Sequence, residues 1–170
     1  MLRYRNVYWL WLTAVVMIVD QVTKQLIVKN LALYQTIPVM PNLNLVYHRN
    51  TGAAFSMFAQ APQATFVLLA LAVSVGILWW LRANPRGQTM VAVGLSMIMG
   101  GALGNVIDRA TRGFVVDFVD FYIGTWHYAT FNVADMAISV GAFLLILDML
   151  LDLRRPKQRR EDGTDKASES

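Results

Sequence analysis

Four stretches of this 170-residue chain are long and oily enough to cross a membrane, and that feature rules out most other architectures. They run from about Val7 to Val28, Ala64 to Leu81, Thr89 to Ile107 and Phe131 to Leu153. Each has roughly the 17–25 residues that a helix needs to pass through about 30 Å of hydrocarbon. Buried helices of a water-soluble core would explain any one of them. All four together leave too little polar surface in so short a chain. Arg3 and Arg5 precede the first run in the manner of a signal peptide, but no small-x-small cleavage site follows. With three more spans downstream, the first is expected to be a retained helix.

The basic residues orient the bundle. Arg3 and Arg5 lie before the first span, Arg82 and Arg86 between the second and third, and Arg154, Arg155, Lys157, Arg159 and Arg160 after the fourth. All three groups fall on one side, which the positive-inside rule makes cytoplasmic, with both termini inside. The formal net charge of +4 is thus explained by flanks of membrane spans, and no nucleic-acid partner is expected. Membrane lipids are, because the basic start of the tail suits anionic head groups. Residues 154–170 are charged and nearly free of apolar side chains, so a disordered cytoplasmic tail is expected after a single domain over 1–153.

Two segments remain on the outer side. The longer, about Lys29 to Gln63, carries β-branched and aromatic residues with Pro38 and Pro41, a pattern of short strands and turns. The shorter, about Asp108 to Thr130, holds Asp117, and its Tyr122, Trp126 and Tyr128 suit a membrane interface.

Depth then becomes informative. The first and third spans run outward and the fourth runs inward. Asp20 and Lys24, Asn105, Asp108 and Arg109, Asn132 and Asp135, and Asp117 of the outer loop therefore converge near the outer leaflet boundary. Ionisable groups at such depth are costly and face a bundle interior, a cavity or one another. Several have a plain structural use. Asp20 and Lys24 are spaced i,i+4, as in a helix ion pair. Asn132 and Asp135 have capping-box spacing, and taken alone Asp135 reads first as a helix cap. Asp148 and Asp152 fall at the cytoplasmic end beside Arg154 and Arg155. "GGALG" lacks the GK[ST] of a phosphate loop, and Ala92, Ser96, Gly100 and Gly104 form instead an i+4 stripe of small residues suited to close helix packing.

Asp117 with Asp135 is harder to reduce to structure. Two acids in a low-dielectric pocket cannot both ionise cheaply, so they share a proton. One then serves as base towards a water while the protonated partner bonds the carbonyl oxygen, which is aspartic peptidase chemistry. The chain has no cysteine, and its two histidines, His48 and His127, lie outside the spans. Thiol chemistry and a rhomboid-like serine site are therefore disfavoured, no metal or other cofactor is expected, and the GxGD motif of presenilin-like proteases is missing. A proton-coupled transporter would place its acids near mid-membrane with access to both faces. A structural scaffold would explain the small-residue stripe but not the converging acids.

"DQVTK" (Asp20–Lys24), "NTGAAF" (Asn50–Phe55), "GGALGNVIDR" (Gly100–Arg109), "GFVVDF" (Gly113–Phe118) and "FNVAD" (Phe131–Asp135), in this order and spacing, resemble the bacterial lipoprotein signal peptidase (signal peptidase II) family over about Val15 to Leu150. The resemblance implies an aspartic endopeptidase of the bacterial inner membrane, acting near the outer leaflet as a monomer. It would cut lipid-modified prolipoproteins just before the diacylglyceryl cysteine. It implies an all-α membrane protein of four transmembrane helices with a small β-rich outer cradle and a short outer helical element. Asp117 and Asp135 carry over as the catalytic pair. Asn50, Gly101, Asn105, Arg109 and Asn132 carry over as residues lining or supporting the substrate site, and Asp20 and Lys24 as structural support. Asp120, spaced one helical turn from Asp117, does not occupy the motif position.

Overall fold

Hydrophobic length becomes helix where the pattern predicts it. The computed structural model describes residues 6–52, 61–83 and 87–153. A 3-10 turn (Asn6–Trp9) leads into α1 (Leu10–Asn30), followed by β1 (Thr36–Met40), β2 (Leu43–Asn50), α2 (Gln63–Ala83), α3 (Thr89–Arg112), β3 (Val115–Ile123), β4 (Trp126–His127) and α4 (Val133–Leu153). All four long helices are apolar enough to span a membrane. The burial pattern is the reverse of a water-soluble bundle. Ile18, Val75, Trp79 and Leu153 are 62%, 67%, 70% and 71% exposed, whereas Asp20, Lys24 and Asp108 are 0% exposed. The apolar side chains on the helix exteriors are those a lipid solvent would cover.

Most of the basic residues used to orient the bundle lie outside the described residues: Arg3, Arg5, Arg86, Arg154, Arg155, Lys157, Arg159 and Arg160. So does the whole 154–170 tail, together with Ala53, Ala54 and Phe55 of the second motif. Among the described residues between α1 and α2 and between α3 and α4 there is no further helix, and residues 53–60 are not among them.

One boundary differs usefully from expectation. The third span does not end at Ile107 but continues to Arg112, where Gly113 adopts a left-handed φ of 78° and donates its N–H to the Arg109 carbonyl at 3.2 Å. A side chain at this φ would be strained, so glycine makes the stop. The extra turn puts Asp108, Arg109 and Arg112 on a rigid helix and not in a loop.

α3 packs against all three other helices, most extensively against α4. Its small residues serve more than one face. A Cβ on Gly100 would lie 2.8 Å from Val16 Cβ, and one on Gly104 would lie 2.6 Å from an Asp20 carboxylate oxygen, both on α1. Thr13 of α1 donates to the Ser96 carbonyl at 2.9 Å. Ala92, assigned to the same stripe, packs instead with Ile77 and Leu81 of α2. At 3.6 residues per turn an i+4 row drifts about 40° each step, so a stripe of this length winds from one neighbour to the next. A second small face, formed by Gly94 and Gly101, meets α4. There Gly141 approaches so closely that a Cβ on Gly94 would lie 2.8 Å from its carbonyl oxygen.

The outer segments form one antiparallel sheet in the order β1-β2-β3-β4. β1, carrying Pro38, is the fully exposed edge, where a residue without an N–H is tolerated. β3 alternates: Val116 and Phe118 pack with Ile27 at the end of α1 and with Tyr47, and Asp117 between them points the other way. The pairing of β2 with β3 slips between Leu45 and His48, a bulge that brings His48 opposite Asp117 and Asn50 opposite Val115. Phe131 then pairs with Val119 through hydrogen bonds of 2.9 and 3.1 Å. That single bridge seats the start of α4 against β3.

Candidate active site

The charged groups at the sheet end of the bundle form two linked clusters. The first is a clamp around Lys24. Its ammonium has three N–H donors, and each has a partner: Asp20 Oδ2 at 2.9 Å, Asp108 Oδ2 at 3.0 Å and Asn105 Oδ1 at 2.9 Å. Asp20 does more than the expected i,i+4 ion pair, because its Oδ1 accepts the Ala134 N–H at 2.9 Å and so holds the first turn of α4. Asp108 accepts the Val116 N–H of β3 at 3.0 Å and also pairs with Arg112. Gln21 donates to Asp108 Oδ1 and to the Gly104 carbonyl. α1, α3, α4 and β3 are therefore joined through three buried side chains of opposite charge.

The second cluster is the acid pair, and the clamp sets its geometry. An ammonium cannot accept, so the Asn105 oxygen must face Lys24, which turns its Nδ2 towards Asp135 Oδ1 at 2.9 Å. Asn132 is fixed by the same logic. Its Oδ1 accepts the Asp135 N–H at 3.0 Å, so its Nδ2 donates to Asp117 Oδ1 at 2.7 Å. The Asn50 oxygen accepts the Gly52 N–H at 2.9 Å, leaving its Nδ2 for Asp117 Oδ2, also at 2.9 Å. Asp135 Oδ2 accepts the Asn132 N–H at 3.2 Å, which completes a reciprocal capping box. Cap and pair member are thus the same carboxyl.

Each of the four oxygens of Asp117 and Asp135 accepts a bond from a neutral N–H group. Among the described residues, no ion pair engages either acid. Asp117, 1% exposed, has its carboxyl pushed up to about 7. Burial is the main cause and the charge of Asp135 the second, opposed by the amide bonds from Asn50 and Asn132 and by Lys24.

Asp135 opens onto a cavity of about 590 Å³. Asn50, Asn105 and Arg109 line its polar end, and Met136, Ile138 and Val140 carry it along α4. Asp117 lies behind Asn50, which forms the wall there. Arg109 donates from Nη2 to the Gly52 carbonyl at 2.8 Å, and its guanidinium sits 4.8 Å from the centre of the Phe66 ring. That holds the chain after Asn50 and the start of α2 against α3.

One sequence-based placement is narrowed to support, and another needs correction. Gly101 does not line the cavity. A Cβ there would run into the Ala134 carbonyl and the Ile138 side chain, so its position serves the α3–α4 contact beneath Asp135. Asp120 is not a helical turn from Asp117, because both lie on strand β3. There it accepts from Asn44 Nδ2 at 2.8 Å and from His127 Nδ1 at 2.8 Å, within the sheet. Asp108 and Gln21 were missed as parts of the site. Asp108 had a signal: Asn105, Asp108 and Arg112 recur at i, i+3 and i+7, one face of a helix. Gln21 had none beyond being polar beside Asp20.

The chain as a whole is similar to known proteins. The family model described as Signal peptidase (SPase) II matches residues 12–151. The lipoprotein signal peptidase of Alteromonas mediterranea is 43% identical over 166 residues, which cover 96% of this chain and 90% of that protein. The lipoprotein signal peptidases of Pasteurella multocida and of Escherichia coli K12 are each 46% identical, over 90% and 88% of this chain and 94% and 93% of theirs. A solved structure described as a bacterial membrane enzyme superposes with a TM-score of 0.81 at 31% identity, covering 91% of this chain and 94% of the other. A second of the same description gives a TM-score of 0.77 at 32% identity, over 88% and 97%. With the matched family spanning both acid-bearing elements and all four helices, the chain is a multi-pass membrane protein that belongs to the signal peptidase II family of peptidases.

Proposed function

We propose that this chain removes signal peptides from lipid-modified prolipoproteins, cutting just before the diacylglyceryl cysteine, with Asp117 and Asp135 as the catalytic pair. One observation carries the reading: two carboxyls are joined through Asn132 and bonded only to neutral donors, and one of them, Asp135, opens at the polar end of a cavity whose other end is apolar. Carboxyls so placed cannot both stay ionised, and burial makes Asp117 the natural seat of the shared proton. Asp135, open to the cavity, takes a proton from water as the water oxygen attacks the scissile carbonyl. The shared proton is given to the carbonyl oxygen, forming a neutral tetrahedral diol. Collapse of the diol re-forms the carbonyl and breaks the C–N bond, and a proton from the pair passes to the leaving amine. The second proton returns to the pair.

Asn50, Asn105 and Asn132 position the acids through the bonds given above, and Arg109 holds the main chain at Gly52. Asp20 and Lys24 brace this frame. In this reading the sheet lies on the outer face of the bacterial inner membrane, both termini are cytoplasmic, and the monomer contains the whole site. The apolar end of the cavity, along α4, is where an apolar signal helix and acyl chains are accommodated.

The test is cleavage of a diacylglyceryl-modified precursor by the purified protein in detergent. Wild type is expected to release the signal peptide. Asp117→Asn and Asp135→Asn are each expected to lose at least about 100-fold in rate, the lower end of what a general acid or base contributes. Near wild-type cleavage by either variant would overturn the assignment.

A further inference from the structure

One side chain of the cavity departs from its surroundings. Inward from Asp135, the α4 wall consists of Met136, Ile138, Ser139 and Val140, so a hydroxyl stands within an apolar stretch. Ser139 follows Asp135 by one helical turn, which puts it on the same face and about 6 Å further from the sheet.

A hydroxyl inside a membrane helix ordinarily bonds the carbonyl one turn back. The helices of this protein follow that habit. Thr23 donates to the Val19 carbonyl at 2.8 Å, Ser74 to that of Ala70 at 2.8 Å and Thr111 to that of Ile107 at 2.7 Å. Thr13 reaches across to the Ser96 carbonyl instead. Among the described residues, no hydrogen bond engages the Ser139 hydroxyl. The Ser96 hydroxyl is unbonded too, but Ser96 is 0% exposed and sealed between helices, where only its small size matters. Ser139 is exposed, and the space it faces is the cavity.

Its neighbours on that wall, Met136 and Val140, offer it no strong acceptor. A hydroxyl left unpaired in apolar surroundings costs about 1–3 kcal/mol. A bound molecule that brings an acceptor to that depth recovers the loss. The substrate of the peptidase reading brings one, and the inference rests on that reading. Its glycerol joins the cysteine sulfur to the acyl chains through ester carbonyls, the last polar atoms before hydrocarbon. With the scissile bond at Asp135 and the acyl chains along α4, those carbonyls fall between the two, at the level of Ser139. Carbonyls of the signal peptide inside the membrane are satisfied within its own helix, which leaves the esters as the acceptors there.

We propose that Ser139 is a specificity residue, donating its hydroxyl to an ester carbonyl of the substrate's diacylglyceryl group. The apolar wall then accepts acyl chains of any kind, and Ser139 distinguishes how they are attached.

The experiment uses two precursors of identical peptide and chain length, one carrying a diacylglyceryl group and one a dialkylglyceryl group, in which ether links replace the esters and no carbonyl remains. Wild type in detergent is expected to prefer the ester precursor by about three- to tenfold in kcat/KM, the range for one neutral hydrogen bond. The preference should lie mainly in KM, as for binding made before the chemical step. Ser139→Ala is expected to lose that factor on the ester precursor and almost nothing on the ether precursor, bringing the ratio close to one. Alanine suits an exposed helix position, so its melting temperature should match wild type. Equal kcat/KM for the two precursors with wild type, or equal losses on both in Ser139→Ala, would overturn the assignment. Failure of wild type to cleave the ester precursor at all would instead overturn the peptidase reading beneath it.

Discussion

The clamp around Lys24 and the pair Asp117–Asp135 use the same carboxylate chemistry at the same end of the same bundle, yet they are poised for opposite ends. In the clamp, Asp20 and Asp108 face an ammonium whose three donors are all used, with Ala134 and Val116 amides and Arg112 filling the remaining acceptors. In the pair, each oxygen accepts only from neutral N–H groups, and Lys24 reaches Asp135 only through Asn105. The charge of the clamp is compensated where it lies, and that of the pair is not. Depth alone therefore does not make a membrane carboxylate reactive. What matters is whether its partner brings charge or only a dipole.

Breaking the compensated side should have the largest effect on folding. Lys24→Met leaves two buried carboxylates without their cation, and losing one partner of a buried ion pair typically costs about 3–5 kcal/mol. Thermal or denaturant unfolding in detergent should show that loss. Cleavage should fall too, since the Asn105 amide loses the contact that fixes its orientation. Full stability in Lys24→Met would mean that the clamp is ornamental.

The uncompensated side should show itself in pH. With its carboxyl pushed up from 3.8 to about 7, Asp117 keeps a proton in the fold that it would release when unfolded. The stability it contributes is present below about pH 4 and is lost as pH rises through about 7. The proposed reaction needs the shared proton, so on that reading kcat should fall about tenfold per unit above the upper macroscopic pKa of the pair. A rate still rising at pH 9, about two units above the value for Asp117, would break the contrast between the two clusters.

The smallest effect is expected at Asp120, a third acid nearby that sits in neither cluster. Asp120→Asn weakens its bonds to Asn44 and His127, worth about 1 kcal/mol in stability, and should keep most of the cleavage rate. A dead but folded Asp120→Asn would show that the wrong acid had been paired with Asp135.

Much of this was legible in the residues. Hydrophobic length is a local property, so the helices could be read within a few residues. The depth of Asp20, Lys24, Asn105 and Asp135 follows from counting along them. The capping box at Asn132 and Asp135 is equally local and was readable by spacing. The cross-chain contacts of clamp and pair were not, since Lys24 meets Asn105 across 81 positions and Asn132 meets Asp117 across 15, with no periodicity linking the partners. The bulge that sets His48 opposite Asp117 was also hidden, because register is settled only when two strands meet. Asp108 was visible at the right depth, but its role depends on the final turn that Gly113 allows α3 to complete.

The reciprocal cap at the start of α4 makes Asp135 a residue with two employers. Oδ2 accepts the Asn132 N–H of the cap and Oδ1 accepts the Asn105 amide, while the carboxyl as a whole opens onto the cavity. Asp135→Glu keeps the charge and the acid, yet the longer arm cannot hold the Asn132 N–H and face the cavity from the same position. The loss would spread through Asn132, whose oxygen is anchored by the Asp135 N–H and whose amide steadies Asp117. Aspartate at this position is thus set by a length as much as by a charge, and the acid to which the proposed reaction gives the water's proton doubles as a fastener of its own scaffold.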